Sequence, residues 1–166
     1  MCKRLLLITD EQPERRLVHI TDPYQAKMFS ENPYFAKSDI VGSLVVVLQG
    51  KLENRGLSLI KPISRCVQKH EIHELILSDE ADIAPGSTVN NISYFGFTEI
   101  TQGGVLTAGD KVYCAGELIG TIAGFDETHM PNHINIVIQA DRCITGVEHG
   151  ARLGGEMLFQ HVKNSE

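Results

Sequence analysis

The chain has 166 residues, of which 42% are hydrophobic and 22% charged. This length and composition are those of one folded domain with its own core, and they exclude a large multidomain protein and a disordered chain. Fifteen Lys and Arg against twenty-one Asp and Glu give a net charge of -6, which argues against nucleic acid or an anionic membrane as a partner. We expect a single domain over residues 1–166, with portions 1–80 and 81–166 of different character.

The sequence carries no recognisable targeting segment or redox motif. The longest apolar stretch near the N-terminus runs from Leu5 to Ile8, too short for a signal-peptide core or a membrane span. We therefore expect a cytoplasmic protein without membrane insertion. The cysteines are scattered without a C-x-x-C pair, so reduced, structural thiols are expected at Cys2, Cys66, Cys114 and Cys143.

Portion 1–80 predicts strands and a short helix. Thr21-Asp22-Pro23 precedes residues 24–29 and is typical of a helix start. The β-branched run 42–49 predicts a strand, and residues 57–60 are a candidate partner in a hairpin across the polar connection 50–56. Residues 64–79 fit either a helical stripe or a strand.

Portion 81–166 predicts short strands separated by tight turns, because it holds twelve of the fifteen glycines. Residues 103–125 are interpreted as a β-meander. Residues 133–139 alternate with period two, as a half-buried strand does, and residues 155–162 are the expected closing strand. The predicted fold is mainly β: a small closed or partly open antiparallel β-barrel, with one or two short helices in the N-terminal half.

The densest polar stretch, residues 126–133, offers two carboxylates and two imidazoles, and Glu148-His149 follows shortly after. Zinc and similar divalent ions favour such ligands, so one hypothesis is a metal site formed by His129, His133 and Glu148 or His149. A helical H-E-x-x-H motif is absent, since residue 130 is Met and Pro131 would break the helix. The alternative is that these are polar loop residues, with His133 opening a strand.

Other chemical signatures are missing. There is no G-x-S-x-G motif and no phosphate-binding glycine loop, so we assign no catalytic residue from the sequence. The aromatic residues around Tyr94 could form an apolar wall for a ligand such as a sugar. The candidate ligand-binding residues are Tyr94, Glu99, Asp126, His129, His133 and Asn135.

Two segments carry a family likeness. Residues 103–109 (GGVLTAG) and 131–137 (PNHINIV) resemble the glucitol/sorbitol-specific A component of the bacterial phosphotransferase system, over roughly residues 90–160. That resemblance implies a small cytoplasmic β-barrel, with His133 at a recurrent leucine-glycine-histidine position. The family's phosphoryl acceptor is a histidine just upstream of the first glycine element, where residues 94–101 here contain no histidine. The resemblance therefore implies a relative that is not phosphorylated.

Three functions follow from these observations. The first is a carbohydrate-linked binding or regulatory module without catalytic activity of its own, which would take a sugar or another small molecule. The second is a small metal-dependent enzyme with a His/Glu site and a divalent metal as cofactor. The third is a structural subunit, because small β-proteins with exposed strand edges often pair, and a homo-oligomer is expected with any of the three.

Overall fold

The computed structural model describes residues 36–162. They form twelve strands and one helix, whose bounds are as follows: β1 Ile40–Val47, β2 Lys51–Leu52, β3 Leu57–Ser58, β4 Ser64–Val67, β5 Ile72–Ser78, β6 Thr88–Val89, β7 Ile92–Gln102, β8 Gly104–Thr107, β9 Lys111–Cys114, β10 Glu117–Asp126, β11 Asn135–Gln139, α1 Gly146–His149 and β12 Glu156–Gln160. The expectation of a mainly β protein is confirmed.

The main sheet closes into a ring. Its order is β1-β12-β9-β10-β11-β5-β7-β2, and β1 also pairs with β7, so seven strands form the ring and β2 extends from β7. Each pair in the ring is antiparallel except β11 with β5, which is parallel. The prediction of a purely antiparallel arrangement is therefore wrong at this pair. The long segment that connects β5 to β11 forms several other strands. A connection of this length lets β5 and β11 lie side by side in the same direction.

The predicted hairpin between residues 42–49 and 57–60 does not form. Instead, β1 pairs with β12 on one side and β7 on the other, while β3 pairs with β6. Two long partners let β1 bury Ile40 and Leu44 completely, which a short local hairpin would leave partly exposed. Strands of the two portions 1–80 and 81–166 also alternate, since β5 lies between β11 and β7.

The predictions for the remaining strands and helices are confirmed in part. The ambiguous residues 64–79 form two strands, β4 and β5, and residues 103–125 include a β9–β10 hairpin, but β8 pairs with β4 instead of extending a meander. The strands predicted over 133–139 and 155–162 are confirmed as β11 and β12. The helix predicted over 24–29 lies outside the described residues; within 36–162 the helix is α1, in the C-terminal half.

Two hydrophobic clusters lie on opposite faces of the sheet. The larger fills the inside of the ring and includes Leu75, Phe95 and Ile136. The smaller lies on the outer face, where β3 and β6 cover Ile76 and Val137. Strand β11 is thus buried on both faces, not half-buried as its alternation predicts. Within residues 36–162, no helix is long and apolar enough to cross a membrane.

Candidate metal centre

A row of side chains crosses four neighbouring strands on the outer face of the sheet. Asp126 of β10 is in register with Asn135 of β11, Asn135 with Glu74 of β5, and Glu74 with Phe97 of β7. Residues opposite one another in a sheet point to the same face, and Glu74 shares its face with Ile76 two positions on. The sheet register therefore places a buried carboxylate beside the outer hydrophobic cluster, with Glu74 only 7% exposed.

The turn that joins β10 to β11 brings two imidazoles to this row. Its first residues are held by Asp126, whose carboxylate accepts hydrogen bonds from Thr128 N at 3.2 Å and Thr128 Oγ1 at 2.9 Å. The backbone then reverses, with Asn132 N donating to His129 O at 2.9 Å. As a result the rings of His129 and His133 stack with their centroids 5.0 Å apart.

Glu74, His129 and His133 form a candidate metal centre. One ligand atom of each lies within 4.8 Å of the other two, and His133 Nε2 is 3.9 Å from Glu74 Oε2. Around a tetrahedral zinc ion with bonds of 2.0 to 2.1 Å, ligand atoms are about 3.3 Å apart. Closing the three groups onto an ion thus requires movements of about 1 Å, within the reach of side-chain rotation.

The protonation state of His133 favours a cation at this point. Its Nδ1 lies 2.8 Å from Asn132 Oδ1, an oxygen that can only accept, so this contact is a hydrogen bond in the tautomer that carries the proton on Nδ1. The lone pair of the neutral ring is then on Nε2, which is buried and has no hydrogen-bond partner among residues 36–162. The Glu74 carboxylate lies 3.9 Å from this nitrogen, so two electron-rich groups face each other, and a cation bound between them would stabilise the pair.

The electrostatics of the cluster reflect its burial. Burial raises the pKa of Glu74, against the opposite effect of the charges of His129 and Arg55. Burial also lowers the pKa of His133, and the neighbouring His129 and His73 lower it further. Each group is therefore costly to charge alone, and a bound divalent ion would supply the compensating charge for the carboxylate while leaving His133 neutral, as metal ligation requires.

Two cavities open beside the cluster. One, of about 260 Å³, is lined by Leu48, Gln49, Glu74, Tyr94 and His129. The other, of about 470 Å³, lies on the side of His133 and includes Arg65, His70 and Met130 in its wall. The candidate metal centre is therefore reachable by small molecules, which a purely structural ion site does not need.

Comparison with known proteins identifies a family. A sequence profile of a family of unknown function (DUF6917) matches residues 34–160, which include the whole ring and all three cluster residues. The chain belongs to this family. No curated protein and no solved structure matches the chain. Membership in DUF6917 brings no activity with it, and the resemblance to the sugar-system component stays a prediction.

In this DUF6917 member the sequence-predicted ligand residues are largely gathered at one place. His129 and His133 belong to the cluster, Asp126 and Asn135 to the polar row beside it, and Tyr94 to the smaller cavity. Glu99 lies apart, near the end of β7, where its carboxylate is 2.9 Å from Nδ1 of the exposed His70.

The other two residues of the metal hypothesis, Glu148 and His149, are not part of the cluster. Glu148 accepts a hydrogen bond from Thr145 N at 2.8 Å, completing a capping box at the start of α1, and pairs with Lys51 at 2.8 Å. These bonds hold the pKa of Glu148 below its usual range. The ring of His149 packs on Phe95 with centroids 5.3 Å apart. Both residues have local structural roles.

Sequence reasoning missed Glu74. It lies in the charged run 69–74, which resembles a solvated surface, and more than fifty residues separate it from His129. The available signal is the alternation of β5, which puts Glu74 on the same face as Ile76 once residues 72–78 are taken as a strand. Its neighbours across the sheet depend on the β5–β11 pairing, which no local pattern reveals.

Proposed function

We propose that the protein is a small metal-dependent enzyme whose divalent ion, of the zinc class, is held by Glu74, His129 and His133. The observation that carries the proposal is the buried lone pair of His133 Nε2 facing the Glu74 carboxylate at 3.9 Å, with no hydrogen-bond partner in the described part of the chain. A buried nitrogen of this kind is a cost to the fold unless something binds it.

The ligand set supports a catalytic ion over a structural one. Two imidazoles and one carboxylate are a set used for catalytic zinc, whereas structural zinc is usually enclosed by four protein ligands, mostly cysteines. Three protein ligands leave a fourth position for water or substrate, and a zinc ion there lowers the pKa of bound water to about 7. The reaction class we propose is hydrolysis of a small substrate admitted through an adjacent cavity.

The polar row supports the ligands from behind. Asn135 Nδ2 donates to Asp126 Oδ1 at 2.8 Å, and Asp126 also holds the start of the turn that carries both histidines. Groups that orient ligands in this way are typical of metal sites, because loose ligands lose affinity. Asp126 and Asn135 are therefore positioning residues in the proposed enzyme.

The proposal is tested with zinc itself. The full-length protein, stripped with a chelator and dialysed, should bind one zinc ion per chain in competition with a chromophoric chelator. Glu74→Gln and His133→Gln should each weaken binding by about a hundredfold or more, because each removes a ligand. His70→Asn is the matched control. This histidine is exposed and lines the larger cavity together with His133, and its positive φ of 75° is one that asparagine tolerates.

Catalysis is tested with 4-nitrophenyl acetate, which a metal-bound hydroxide hydrolyses. We expect hydrolysis that requires zinc, is lost in Glu74→Gln and is kept in His70→Asn. Failure to bind zinc, or equal zinc affinity in the ligand variants, would overturn the proposal. Zinc binding without any zinc-dependent hydrolysis would overturn its catalytic part.

A further inference from the structure

The smaller cavity beside the metal centre has a cation at its edge. Arg55 is half-buried, and its Nε donates to Tyr94 Oη at 3.4 Å, while Tyr94 itself lines the cavity together with Glu74 and His129. Within residues 36–162 the Arg55 guanidinium makes no ion pair with a carboxylate. It is therefore a positive charge close enough to lower the pKa of Glu74 electrostatically, yet within this part of the chain no carboxylate is in direct contact with it.

The donor geometry at this point suits an oxyanion. Because the bond to Tyr94 uses Nε, the two terminal nitrogens of Arg55 remain available to bind two oxygens of one anionic group. The Tyr94 hydroxyl accepts in that bond, so its hydrogen remains free to donate to the same group. Arg55 and the cavity-lining Tyr94 together thus hold three donors that are free to bind such a group.

The larger cavity offers no comparable charge. Arg65 lies in its wall, but Nη1 of Arg65 is 3.1 Å from Glu127 Oε1, so its charge is already paired. In a protein with a net charge of -6, an anionic ligand needs a local unpaired cation to bind. The contrast between Arg55 and Arg65 selects the smaller cavity.

We infer that the cavity lined by Tyr94, Glu74 and His129 takes a small organic anion, whose carboxylate or phosphate group binds Arg55 and Tyr94 while the reacting part of the molecule meets the metal ion. This inference rests on the proposed function and names its substrate class. A cavity of about 260 Å³ has room for a small anion of this kind.

The experiment uses inorganic phosphate as the probe, titrated by calorimetry into the zinc-loaded full-length protein. Arg55→Gln should weaken phosphate binding by about tenfold or more, because it removes a charge-assisted fork of hydrogen bonds. The phosphate affinity of Arg55→Lys should lie between those of the unaltered protein and Arg55→Gln, since lysine keeps the charge without the fork of hydrogen bonds. The matched control is Arg65→Gln, which should bind phosphate as the unaltered protein does.

The outcomes separate this inference from the proposed function. Phosphate affinity that is equal in the unaltered protein and in Arg55→Gln would overturn the inference, as would the absence of phosphate binding. Zinc affinity is measured on the same samples. If zinc binds normally while phosphate binding is absent or independent of Arg55, the proposed metal centre is still supported and only the anion cavity is refuted. Arg55-dependent phosphate binding by a protein that takes up no zinc would support the anion cavity and refute the metal centre. Unfolding midpoints of the three arginine variants check that each is folded.

Discussion

Two buried carboxylates of this protein have opposite surroundings. Glu74 lies on the outer face of the ring, in the wall of the smaller cavity, and among the described residues its carboxylate accepts no hydrogen bond. Asp110 lies between β8 and β9 and is 1% exposed. It binds Thr107 N at 2.9 Å, Thr107 Oγ1 at 2.8 Å and Lys37 Nζ at 2.6 Å, and it is 3.4 Å from Nδ1 of His161.

The comparison separates a buried carboxylate that has several partners from the one in the proposed metal centre. Asp110 is satisfied by neighbours from three parts of the chain, so it fixes the segments that carry Lys37 and His161 against the β8–β9 turn. Glu74 instead faces His133 Nε2 at 3.9 Å and has no hydrogen-bond donor among the described residues. A buried carboxylate with complete partners stabilises the fold, whereas one left incomplete at a cavity is available for a ligand.

The largest expected effect is the loss of the Asp110 network. Asp110→Asn keeps the shape of the side chain but leaves the Lys37 ammonium, 6% exposed, without its counter-charge. Breaking a buried ion pair in this way costs about 3 to 5 kcal/mol. Urea unfolding should show this decrease, while Glu74→Gln without metal should change the free energy of unfolding by less than about 1 kcal/mol, since no hydrogen bond is lost. Equal decreases in the free energy of unfolding for the two substitutions would show that the two carboxylates do not differ in their contribution to stability.

The second effect is stabilisation by zinc. An ion that binds only the folded state adds about 2.7 kcal/mol at a hundredfold excess over its Kd. The unaltered protein and Asp110→Asn should both gain this amount in urea unfolding, because Asp110 lies outside the metal centre. Glu74→Gln should gain almost none. If zinc raised the free energy of unfolding of Glu74→Gln but not of Asp110→Asn, the ion would bind at the Asp110 cluster, which would contradict the proposal.

A smaller effect is expected from removing the hydrogen bonds that hold the turn between β10 and β11. Asp126→Ala removes the acceptor of both Thr128 hydrogen bonds and so loosens the segment that carries His129 and His133. Loss of such support weakens metal affinity by about tenfold or more. Zinc competition titrations measure this loss, with the exposed Asp141→Ala as the charge-matched control. Unchanged affinity in Asp126→Ala would show that the histidines are positioned by other contacts.

The smallest effect tests whether the C-terminal helix belongs to the site. Thr145→Ala removes the N-cap of α1, where Thr145 Oγ1 accepts from Glu148 N at 3.1 Å. A lost cap costs about 1 kcal/mol of stability. Zinc affinity should not change, because Glu148 and His149 lie outside the cluster. A decrease in zinc affinity would return those two residues to the metal hypothesis.

Local sequence patterns predicted the strands with the clearest signals. The alternation over 133–139 and the run 155–162 correspond to β11 and β12, and the turn that holds His129 and His133 was recognised as polar and non-helical from Pro131. The stretch 64–79 could not be decided, because its apolar residues satisfy both a helical and a strand period. The hairpin prediction is wrong because nearness in sequence does not decide pairing here: β1 pairs with the distant strands β7 and β12.

The sequence by itself determined a mainly β protein of ordinary composition and placed two imidazoles within one short polar turn. Only the tertiary structure decided which carboxylate joins them. The parallel pairing of β5 with β11 sets Glu74 opposite Asn135 and beside the turn, and a shift of one residue would point Glu74 into the ring instead. Register across distant strands is fixed by the packing of both sheet faces together, and that information is spread over the whole chain.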